Sequence, residues 1–563
     1  MKKEISTSTY SFEDLRQNNC LYVDKTKYLY QIIKVSKGQF FCARPRRFGK
    51  SLMISTLEAL FQGKRDLFEG LYIVDGKDEN GFPIRYDWQI YPVIHLNLAG
   101  CNATTPERLE AWLKNTLQKE AKENHIDLSD NYAEIMFENL IDALANKYNK
   151  KVVILLDEYD KPLTDNIDNK RIEEILNELE GFYGVIKAEE ENLRFTFITG
   201  VTKFSQVSIF SKLNNLTDIS LSKDAACMFG YTQEELEKYF KDYIDDALDQ
   251  GIKNKYGDNL SKEQFLEEIK TWYDGFRFYP TAESVYNPVS IGNFFNFHCD
   301  FGYYWYSTGT SSWLENIARK QPVTLRDIEG LPIPKSAFAE FNLEDFAMDN
   351  FDKVDLMKLL YQTGYLTLQE DQKFLDGPDN PYHLQFPNWE VKEAFMRLLI
   401  NAYSGRKQMA NLIEIRQAVE QGNTKSMIAE MRYYFASIRY PIDFKGDKEE
   451  FYQYMTYAMF FWVGEDMRLE EATNIGRIDA VLNADQHLYI IEFKLNKSAE
   501  EAIGQIEEKK YVEKYLIPSK REGKDIRAVG INFSTADDMR NIEEYQEKVW
   551  DYEKECWKEL KNL

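Results

Sequence analysis

The sequence has few cysteines, and their spacing indicates neither a zinc site nor a disulfide framework. Six cysteines are spread over 563 residues without a C-x-x-C pair, and the five histidines do not accompany them at zinc-finger spacing. Scattered cysteines of this kind are typical of a reducing compartment. The N-terminal Met-Lys-Lys-Glu-Ile-Ser-Thr lacks the apolar stretch of a signal peptide, so we expect a cytoplasmic location.

Long apolar runs and an excess of positive charge are also missing. The longest apolar stretch, residues 454–464, is too short to span a bilayer, so no membrane partner is expected. The net charge of -23 argues against a protein that coats nucleic acid, although an enzyme with a local basic site remains compatible with it. Hydrophobic residues make up 44% of the chain, which is enough for several packed cores. The length predicts about three or four domains.

Strand-like and helix-like segments alternate through the first part of the chain. The short apolar runs that predict strands are residues 39–43, 92–98, 152–156, 194–199 and 218–221. The segments with helical spacing of apolar residues are 51–61, 106–123, 132–148 and 170–190. This alternation predicts an α/β domain with a parallel sheet, to which we assign residues 1–224.

The character of the sequence changes twice after this domain. Residues 225–440 predict a mostly helical lid or linker, with capping boxes opening helices at Thr232 and Ser261. Residues 441–563 predict a second α/β domain. Its expected elements are helices at 447–463, 499–515 and 537–560 and strands at 477–482, 488–495 and 527–533.

The loop after the first predicted strand has the pattern of a phosphate-binding loop. Residues 44–51 read Arg-Pro-Arg-Arg-Phe-Gly-Lys-Ser, which matches Walker A, G-x-x-x-x-G-K-[ST], except that Arg44 replaces the first glycine. Glycine lets the backbone wrap a phosphate, lysine adds a charge near it, and the serine hydroxyl can ligate Mg²⁺. The predicted nucleotide-binding residues are Arg46, Arg47, Phe48, Gly49, Lys50 and Ser51. A basic turn without a ligand is the alternative.

A second motif supports the nucleotide site. The apolar run at 152–156 ends in Asp157 and Glu158, which is a Walker B pattern. Asp157 would hold the magnesium ion of ATP, and Glu158 would orient or deprotonate the attacking water. A buried strand that ends in surface acids is the alternative. Thr199 and Thr202, after a later strand, are candidates for sensing the γ-phosphate, or for an ordinary polar turn.

The C-terminal domain contains an ordered set of acids, a lysine and a glutamine. Side chains alternate along a strand, so Glu492 and Lys494 share one face, and a short turn can bring Asp479 beside Glu492. Two carboxylates can bind Mg²⁺ for phosphodiester cleavage, while a lysine steadies the developing negative charge. The predicted catalytic residues are Asp479, Glu492, Lys494 and Gln505, and the predicted metal ligands are Asp479, Glu492 and Glu449, with Glu450 as the alternate. A surface hairpin with a Glu–Lys pair is the alternative.

Several of these segments resemble one known family. Residues 44–51, 156–162, 208–216, 273–276 and 286–288 resemble the motifs of the bacterial AAA-ATPase-like family. That family commonly carries a C-terminal PD-(D/E)XK-like domain and is similar to the signal-transducing branch of P-loop ATPases. Gln505-Ile506 followed by Lys509-Lys510-Tyr511 resembles the helix of such nuclease domains, although the spacing departs from the Q-x-x-x-Y pattern.

The resemblance implies an ATP-binding and hydrolysing protein with a restriction-endonuclease-like domain that uses Mg²⁺. The expected function is ATP-regulated cleavage of nucleic acid, of DNA in preference to RNA. The sequence leaves open whether the chain forms a homo-oligomer. One alternative is a regulatory or scaffolding ATPase whose C-terminal domain binds a partner without cleaving. Another is a nucleotide sensor that does not hydrolyse.

Overall fold

A computed structural model of the chain shows two compact units, residues 1–309 with 328–392 and residues 310–327 with 393–563. The described residues are 2–78, 80–167, 169–203, 215–253, 257–305, 332–338, 353–374, 380–404, 410–437, 452, 455–456, 459–460, 466–473, 475–536 and 541–559. None of the helices described combines the length and apolar composition needed to cross a bilayer.

The first unit is built on a five-stranded parallel sheet. Its strands are β1 (Gly38–Ala43), β2 (Val93–Asn97), β3 (Val152–Asp157), β4 (Leu193–Gly200) and β5 (Thr217–Asp218). They lie in the order β2-β3-β4-β1-β5, so β4 separates the two strands that precede the predicted nucleotide-binding motifs. All six residues of β3 are buried, as expected for a strand covered on both faces.

Helices cover both faces of this sheet and confirm the predicted α/β class. They are α1 (Phe12–Gln17), α2 (Thr26–Ile33), α3 (Lys50–Phe61), α4 (Tyr72–Asp75), α5 (Pro106–Glu123), α6 (Ala133–Tyr148), α7 (Lys161–Thr164) and α8 (Ile172–Ala188). Each long helix buries one apolar stripe; α5, for example, buries Leu109, Leu113 and Leu117 at four-residue spacing.

The middle of the chain is helical, as predicted. Its helices are α9 (Gln233–Tyr239), α10 (Lys241–Asp249), α11 (Lys262–Tyr273), α12 (Pro288–Asn296), α13 (Lys335–Phe338), α14 (Lys353–Thr363), α15 (Trp389–Ser404), α16 (Ala410–Glu420) and α17 (Thr424–Ser437). The predicted capping boxes at Thr232 and Ser261 are both formed. The short strands β6 (Thr367–Leu368) and β7 (Leu384–Gln385) form a separate two-stranded sheet.

The second unit contains a six-stranded mixed sheet. Its strands are β8 (Asp466–Ala472), β9 (Arg477–Asn483), β10 (His487–Leu495), β11 (Asp525–Phe533), β12 (Ile542–Asp551) and β13 (Cys556–Glu559). They lie in the order β13-β12-β11-β10-β9-β8, and of the strand pairs described in this sheet only β10–β11 is parallel. Helix α18 (Ala499–Glu508) joins β10 to the parallel β11, and α19 (Leu516–Glu522) follows α18.

Two expectations for this unit need correction. The predicted helix at 537–560 is wrong, because β12 and β13 occupy most of that segment. Its many Glu, Lys and Gln residues favour a helix locally, but pairing along β11 overrides this preference. Strand β8 was not predicted at all, because its charged residues hide the alternating pattern. Of the expected helix at 447–463, the described residues are 452, 455, 456, 459 and 460, and each is helical.

Candidate active sites

The loop between β1 and α3 turns sharply back on itself before the helix starts. Gly49 has a φ of 87°, and Arg47 has a φ of 69°. A φ in this region suits glycine, which has no Cβ to clash, and explains why a glycine stands directly before Lys50. Helix α3 therefore begins at Lys50 with its first backbone N–H groups directed into the loop.

The Lys50 ammonium group lies inside the loop. It donates hydrogen bonds to the carbonyl oxygens of Arg44 at 3.1 Å and Pro45 at 3.2 Å. The Glu158 carboxylate lies 3.8 Å away, so the first acid after β3 faces the charge at the start of α3. Lys50 is buried, and an anion held by the loop would meet its charge with little screening by water.

The Asp157 carboxyl group is buried at the end of β3, next to Ser51. Both of its oxygens lack a hydrogen-bond partner of good geometry among the described residues. Burial raises the pKa of Asp157, while the neighbouring Ser51 hydroxyl and Lys50 ammonium act in the opposite direction. A buried, unsatisfied carboxylate beside a hydroxyl at the start of a P-loop helix fits a magnesium ion, because Mg²⁺ prefers such oxygen ligands.

The other predicted residues of the loop differ in where they point. Phe48 is buried against Phe276 and Phe278, with ring centroids 4.8 and 5.5 Å away, so only its backbone can face a ligand. Arg47 donates a hydrogen bond to the hydroxyl group of Tyr10. Arg46 is exposed.

Arg44, at the position of the missing Walker A glycine, is buried and faces away from the loop interior. Its guanidinium donates to the carbonyl oxygens of Ala43, Ser220 and Ala225 at 2.7–3.0 Å. It also lies over the ring of Phe278, 4.1 Å from the centroid. The arginine therefore ties the loop to the segment after β5, which sequence reasoning could not foresee because the partners lie about 180 residues away.

The two sensor candidates have buried partners within the protein. The Thr199 hydroxyl donates to the Cys42 carbonyl at 2.7 Å, and the Thr202 hydroxyl donates to Asp160 at 2.6 Å. Asp160 also accepts hydrogen bonds from the backbone N–H groups of Val201 and Thr202. A Cβ at Gly200 would lie 2.3 Å from an Asp160 oxygen, so the glycine allows this close approach.

Sequence reasoning did not assign a role to Asp160. Its only signal is its position three residues after Asp157 in the segment Asp-Glu-Tyr-Asp. Burial raises the pKa of its carboxyl group, and the hydrogen bonds from Thr202 oppose that rise. The carboxyl group connects the end of β3 to the end of β4, and it therefore fixes both strand ends beside the loop.

In the second unit, Asp479 on β9 and Glu492 on β10 lie side by side. The backbone N–H of Asp479 donates to Glu492 at 3.3 Å, and the backbone N–H of Phe493 donates to Asp479 at 2.8 Å. Ala480 pairs with Ile491, so the antiparallel register brings the two acids opposite each other, as predicted.

Lys494 and Gln505 complete this cluster. The Gln505 amide donates to Glu492 at 2.8 Å and accepts from the Lys494 ammonium at 2.8 Å. Lys494 lies 3.7 Å from Glu492. Gln505 sits on α18, so the helix that follows β10 holds the lysine and the acid in fixed positions.

The two acids are buried, and burial raises the pKa of both carboxyl groups. Burial and the neighbouring Asp479 raise the pKa of Glu492 to about 9, and burial raises the pKa of Asp479 as well. Two buried carboxyl groups side by side, with Lys494 3.7 Å from Glu492, fit a divalent cation, whose charge would offset the repulsion between them. The described residues contain no group of three or more acids, histidines or cysteines able to hold a metal. Glu449 and Glu450 lie outside the described residues.

Fold and geometry together define a P-loop-like α/β unit followed by a restriction-endonuclease-like mixed sheet. Residues 6–210 match the family described as predicted AAA-ATPase, and residues 447–544 match the PD-(D/E)XK nuclease superfamily. The chain is 30% identical over 556 residues to an uncharacterized protein in the vnfD 5' region of Azotobacter chroococcum mcd 1. That alignment covers 96% of this chain and 98% of the relative. The chain belongs to the family of AAA-ATPase-like proteins with a C-terminal PD-(D/E)XK domain. No solved structure matches it.

Proposed function

We propose that the protein binds and hydrolyses ATP and cleaves nucleic acid, DNA in preference to RNA, with ATP regulating the cleavage. The observation that carries the proposal is the hydrogen-bonded cluster of Asp479, Glu492, Lys494 and Gln505. Structural roles alone do not account for it, because burying two acids side by side costs stability. Such a cost is common where side chains are arranged for a reaction.

At the nuclease-like site, Asp479 and Glu492 would hold Mg²⁺. A bound magnesium ion supplies a polarised water and neutralises charge on the phosphodiester. Lys494 lies 3.7 Å from Glu492 and is directed by Gln505, so its ammonium group can stabilise the negative charge that develops on the scissile phosphate. Glu449, or its alternate Glu450, is proposed as the further ligand.

At the P-loop, the backbone of Gly49 and the start of α3 would cradle the β- and γ-phosphates. Lys50 would exchange its bonds to the Arg44 and Pro45 carbonyls for bonds to phosphate oxygens. Ser51 and Asp157 would hold the magnesium ion that accompanies ATP. Glu158, 3.8 Å from Lys50, is the candidate that orients the attacking water.

A second candidate function is a regulatory ATPase whose C-terminal unit binds a partner without cleaving it. The net charge of -23 favours it, because an acidic protein repels the nucleic-acid backbone. A nucleotide sensor without hydrolysis is a variant of this function.

The test is cleavage of plasmid DNA, single-stranded DNA and RNA by purified protein in Mg²⁺ or Mn²⁺, with and without ATP. The decisive variant is Asp479→Asn, which keeps the size of the side chain but removes its charge. The matched control is Asp485→Asn, since Asp485 is exposed in the turn between β9 and β10 of the same unit.

We expect the parent and Asp485→Asn to cleave equally and Asp479→Asn to be slower by roughly a hundredfold or more. A difference between the ATP and no-ATP reactions that disappears in Lys50→Ala would establish the regulation. Equal cleavage by the parent and Asp479→Asn would overturn the assignment of this site. Absence of cleavage in every condition, with ATP hydrolysis retained, would favour the partner-binding function.

A further inference from the structure

A groove lies on the second unit, between the β12–β13 hairpin and the helices that follow β10. It has a volume of about 880 Å³, within the range of roughly 300–1,000 Å³ that small-molecule sites occupy. Its walls come from three parts of the chain, which are the end of α18 at Glu507 and the segments 510–521 and 550–557. All of them belong to the same compact unit.

Aromatic side chains form one wall of the groove. Trp550 on β12 and Trp557 on β13 are cross-strand neighbours, with ring centroids 5.2 Å apart and ring planes at 79°. These two rings and Tyr552 pack against the core of the sheet but are only half-buried, so part of each stays in water. Ile517 of α19 also lines the groove and is 66% exposed. Contiguous apolar surface that stays in water is typical of an interaction site.

Basic residues accompany this aromatic surface. Lys510, Lys520 and Arg521 line the groove and are exposed. The Lys520 ammonium lies 5.9 Å from the ring centroid of Tyr552. Residues 509–524 contain six Lys or Arg and two Glu, so this segment is locally positive in a chain whose net charge is -23. A local positive patch attracts phosphate groups even when the whole protein is acidic.

Three acids also line the groove, and two of them have a basic partner. Glu507 lies 2.6 Å from the Lys548 ammonium, and Glu513 lies 4.0 Å from that of Lys510. The third, Glu555, is exposed in the turn between β12 and β13. Aromatic faces beside Lys and Arg are the combination that binds unpaired nucleic acid, because bases stack on the rings and phosphates meet the cations.

The groove and the acid cluster lie on the same face of the six-stranded sheet. Glu492 pairs with Gly530 on β11, and Gly530 pairs with Gln546 on β12. Trp550 lies four residues further along β12, so its side chain points to the same face as that of Gln546. The spacing of strands and the rise per residue place Glu492 and Trp550 roughly 16 Å apart. One strand of a few nucleotides can therefore reach the groove and the acid cluster together.

We propose that this groove binds an unpaired strand of nucleic acid. The bases stack on Trp550 and Trp557, and the phosphates contact the three basic side chains. This inference rests on the proposed action on nucleic acid and adds that the substrate has a single-stranded part beside the acid cluster. In a duplex the bases are stacked on one another, so the rings cannot reach their faces. DNA and RNA share the chemistry that the groove recognises.

The test measures binding of the full-length protein to labelled strands by fluorescence anisotropy, in EDTA so that a metal-dependent site cannot cleave them. The strands are about 20 nucleotides long, which is enough to fill a groove of this kind. They are an oligothymidylate, an oligouridylate, an abasic strand with the same phosphates, and a duplex of thymidylate with adenylate.

Three variants alter the groove, and two others serve as matched controls. Trp557→Ala removes a stacking ring, Trp557→Phe keeps one, and Lys520→Glu reverses a charge. The controls are Tyr433→Ala and Lys425→Glu, because both residues are exposed on α17 of the same unit and do not line the groove. Thermal unfolding identifies a variant that fails to fold, and Lys520→Glu, at an exposed position, then decides.

We expect the parent to bind the oligothymidylate at least about tenfold more tightly than the abasic strand or the duplex, since only free bases stack on the rings. Trp557→Ala should lose roughly tenfold and the preference over the abasic strand, whereas Trp557→Phe should stay within about threefold of the parent. Lys520→Glu should weaken binding to every strand and lower its salt dependence, and the two controls should stay within about twofold of the parent. The ratio of the oligothymidylate and oligouridylate affinities shows whether the groove prefers DNA or RNA.

The opposing outcomes separate this proposal from that of cleavage. Equal binding of the oligothymidylate and the abasic strand by the parent would overturn the groove as a stacking site, and so would unchanged binding in both Trp557→Ala and Lys520→Glu. A parent that binds no strand would also overturn it and favour a protein partner at the groove. Binding that depends on Trp557, without cleavage when Mg²⁺ is added, would support the groove and count against the nuclease.

Discussion

The two candidate sites of this chain are supported in different ways. Near the P-loop, the buried groups that hold the backbone are Arg44 and Asp160, while Lys50 and Asp157 face the proposed ligand. In the second unit, the acids, lysine and glutamine that face the proposed metal are also each other's hydrogen-bond partners.

This difference separates stability from activity in the first unit and combines them in the second. At the P-loop, one substitution can remove structural support without changing ligand binding, and another can weaken ligand binding without changing the support. In the second unit, every substitution of the cluster changes the partners of the remaining side chains. The following experiments test this contrast, and they are ordered by the expected change in free energy.

The largest expected effect is loss of stability in Arg44→Gly, although this change restores the Walker A pattern. The substitution removes the guanidinium, so three carbonyl oxygens lose their donor and Phe278 loses its contact. A cavity is left in place of the side chain. We expect the first unit to lose roughly 3–5 kcal/mol. Hydrogen exchange of the β1 amides measures this loss, because it reports the free energy of opening of that unit.

The matched control for Arg44 is Arg65→Gly, since Arg65 is exposed. It should change the same free energy by no more than about 1 kcal/mol. An Arg44→Gly protein as stable as the parent, with tighter ATP binding, would contradict a structural role for this arginine.

Asp160→Ala should come next, at roughly 2–4 kcal/mol. The substitution leaves the backbone N–H groups of Val201 and Thr202 and the Thr202 hydroxyl buried without their acceptor. Hydrogen exchange of the β4 amides should become faster, because the free energy of opening of that strand falls. Asp165→Ala is the control, because Asp165 is exposed and pairs only with the nearby Lys161 in the contacts described. Equal exchange in the two variants would remove Asp160 as the link between the strand ends.

Unlike the two preceding substitutions, Lys50→Ala should weaken ATP binding and leave the stability of the first unit nearly unchanged. We expect ATP affinity to fall by roughly ten- to a hundredfold, since the charge beside the phosphates is lost. The β1 opening free energy should stay within about 1 kcal/mol of the parent, because loss of the two hydrogen bonds to loop carbonyls and of the ion pair with Glu158 is offset by relief from burying an ammonium group.

The control for Lys50 is Lys27→Ala, because Lys27 is exposed. Its ATP affinity should equal that of the parent. Normal ATP binding by Lys50→Ala would refute the P-loop assignment, and a large loss of stability would refute the separation of roles in the first unit.

The contrast also explains what the sequence could reveal. Gly49, Lys50 and Ser51 are consecutive, and Gln505 follows Glu492 by 13 residues, so local patterns predicted their grouping. Arg44 and Asp160 act through partners that are distant in sequence or belong to the backbone, and no pattern marks such contacts. The strands β12 and β13 were mistaken for a helix for a related reason, because their pairing with β11 is a tertiary effect.

The smallest expected effect, counted per pH unit, is a pH dependence that belongs to Glu492. Its pKa rises from an ordinary value of 4.5 to about 9 in the folded protein, so the folded state holds a proton that the unfolded state releases. Between these two values stability falls as pH increases, by up to about 1.4 kcal/mol per pH unit. Exchange of the β10 amides at pH 6 and pH 8, corrected for the intrinsic rate, measures this slope.

Glu492→Gln should abolish that slope and leave the second unit more stable than the parent at pH 8, although cleavage is lost. Glu508→Gln, at an exposed position of α18, should keep the slope of the parent. A slope that persists in Glu492→Gln would assign the proton to another group. If the slope disappears as expected, Mg²⁺ should bind the parent more tightly at pH 8 than at pH 6, because the ion binds the deprotonated carboxylates and the pKa values of both acids are raised. The cost in stability and the capacity to hold the metal would then arise from the same pair of acids.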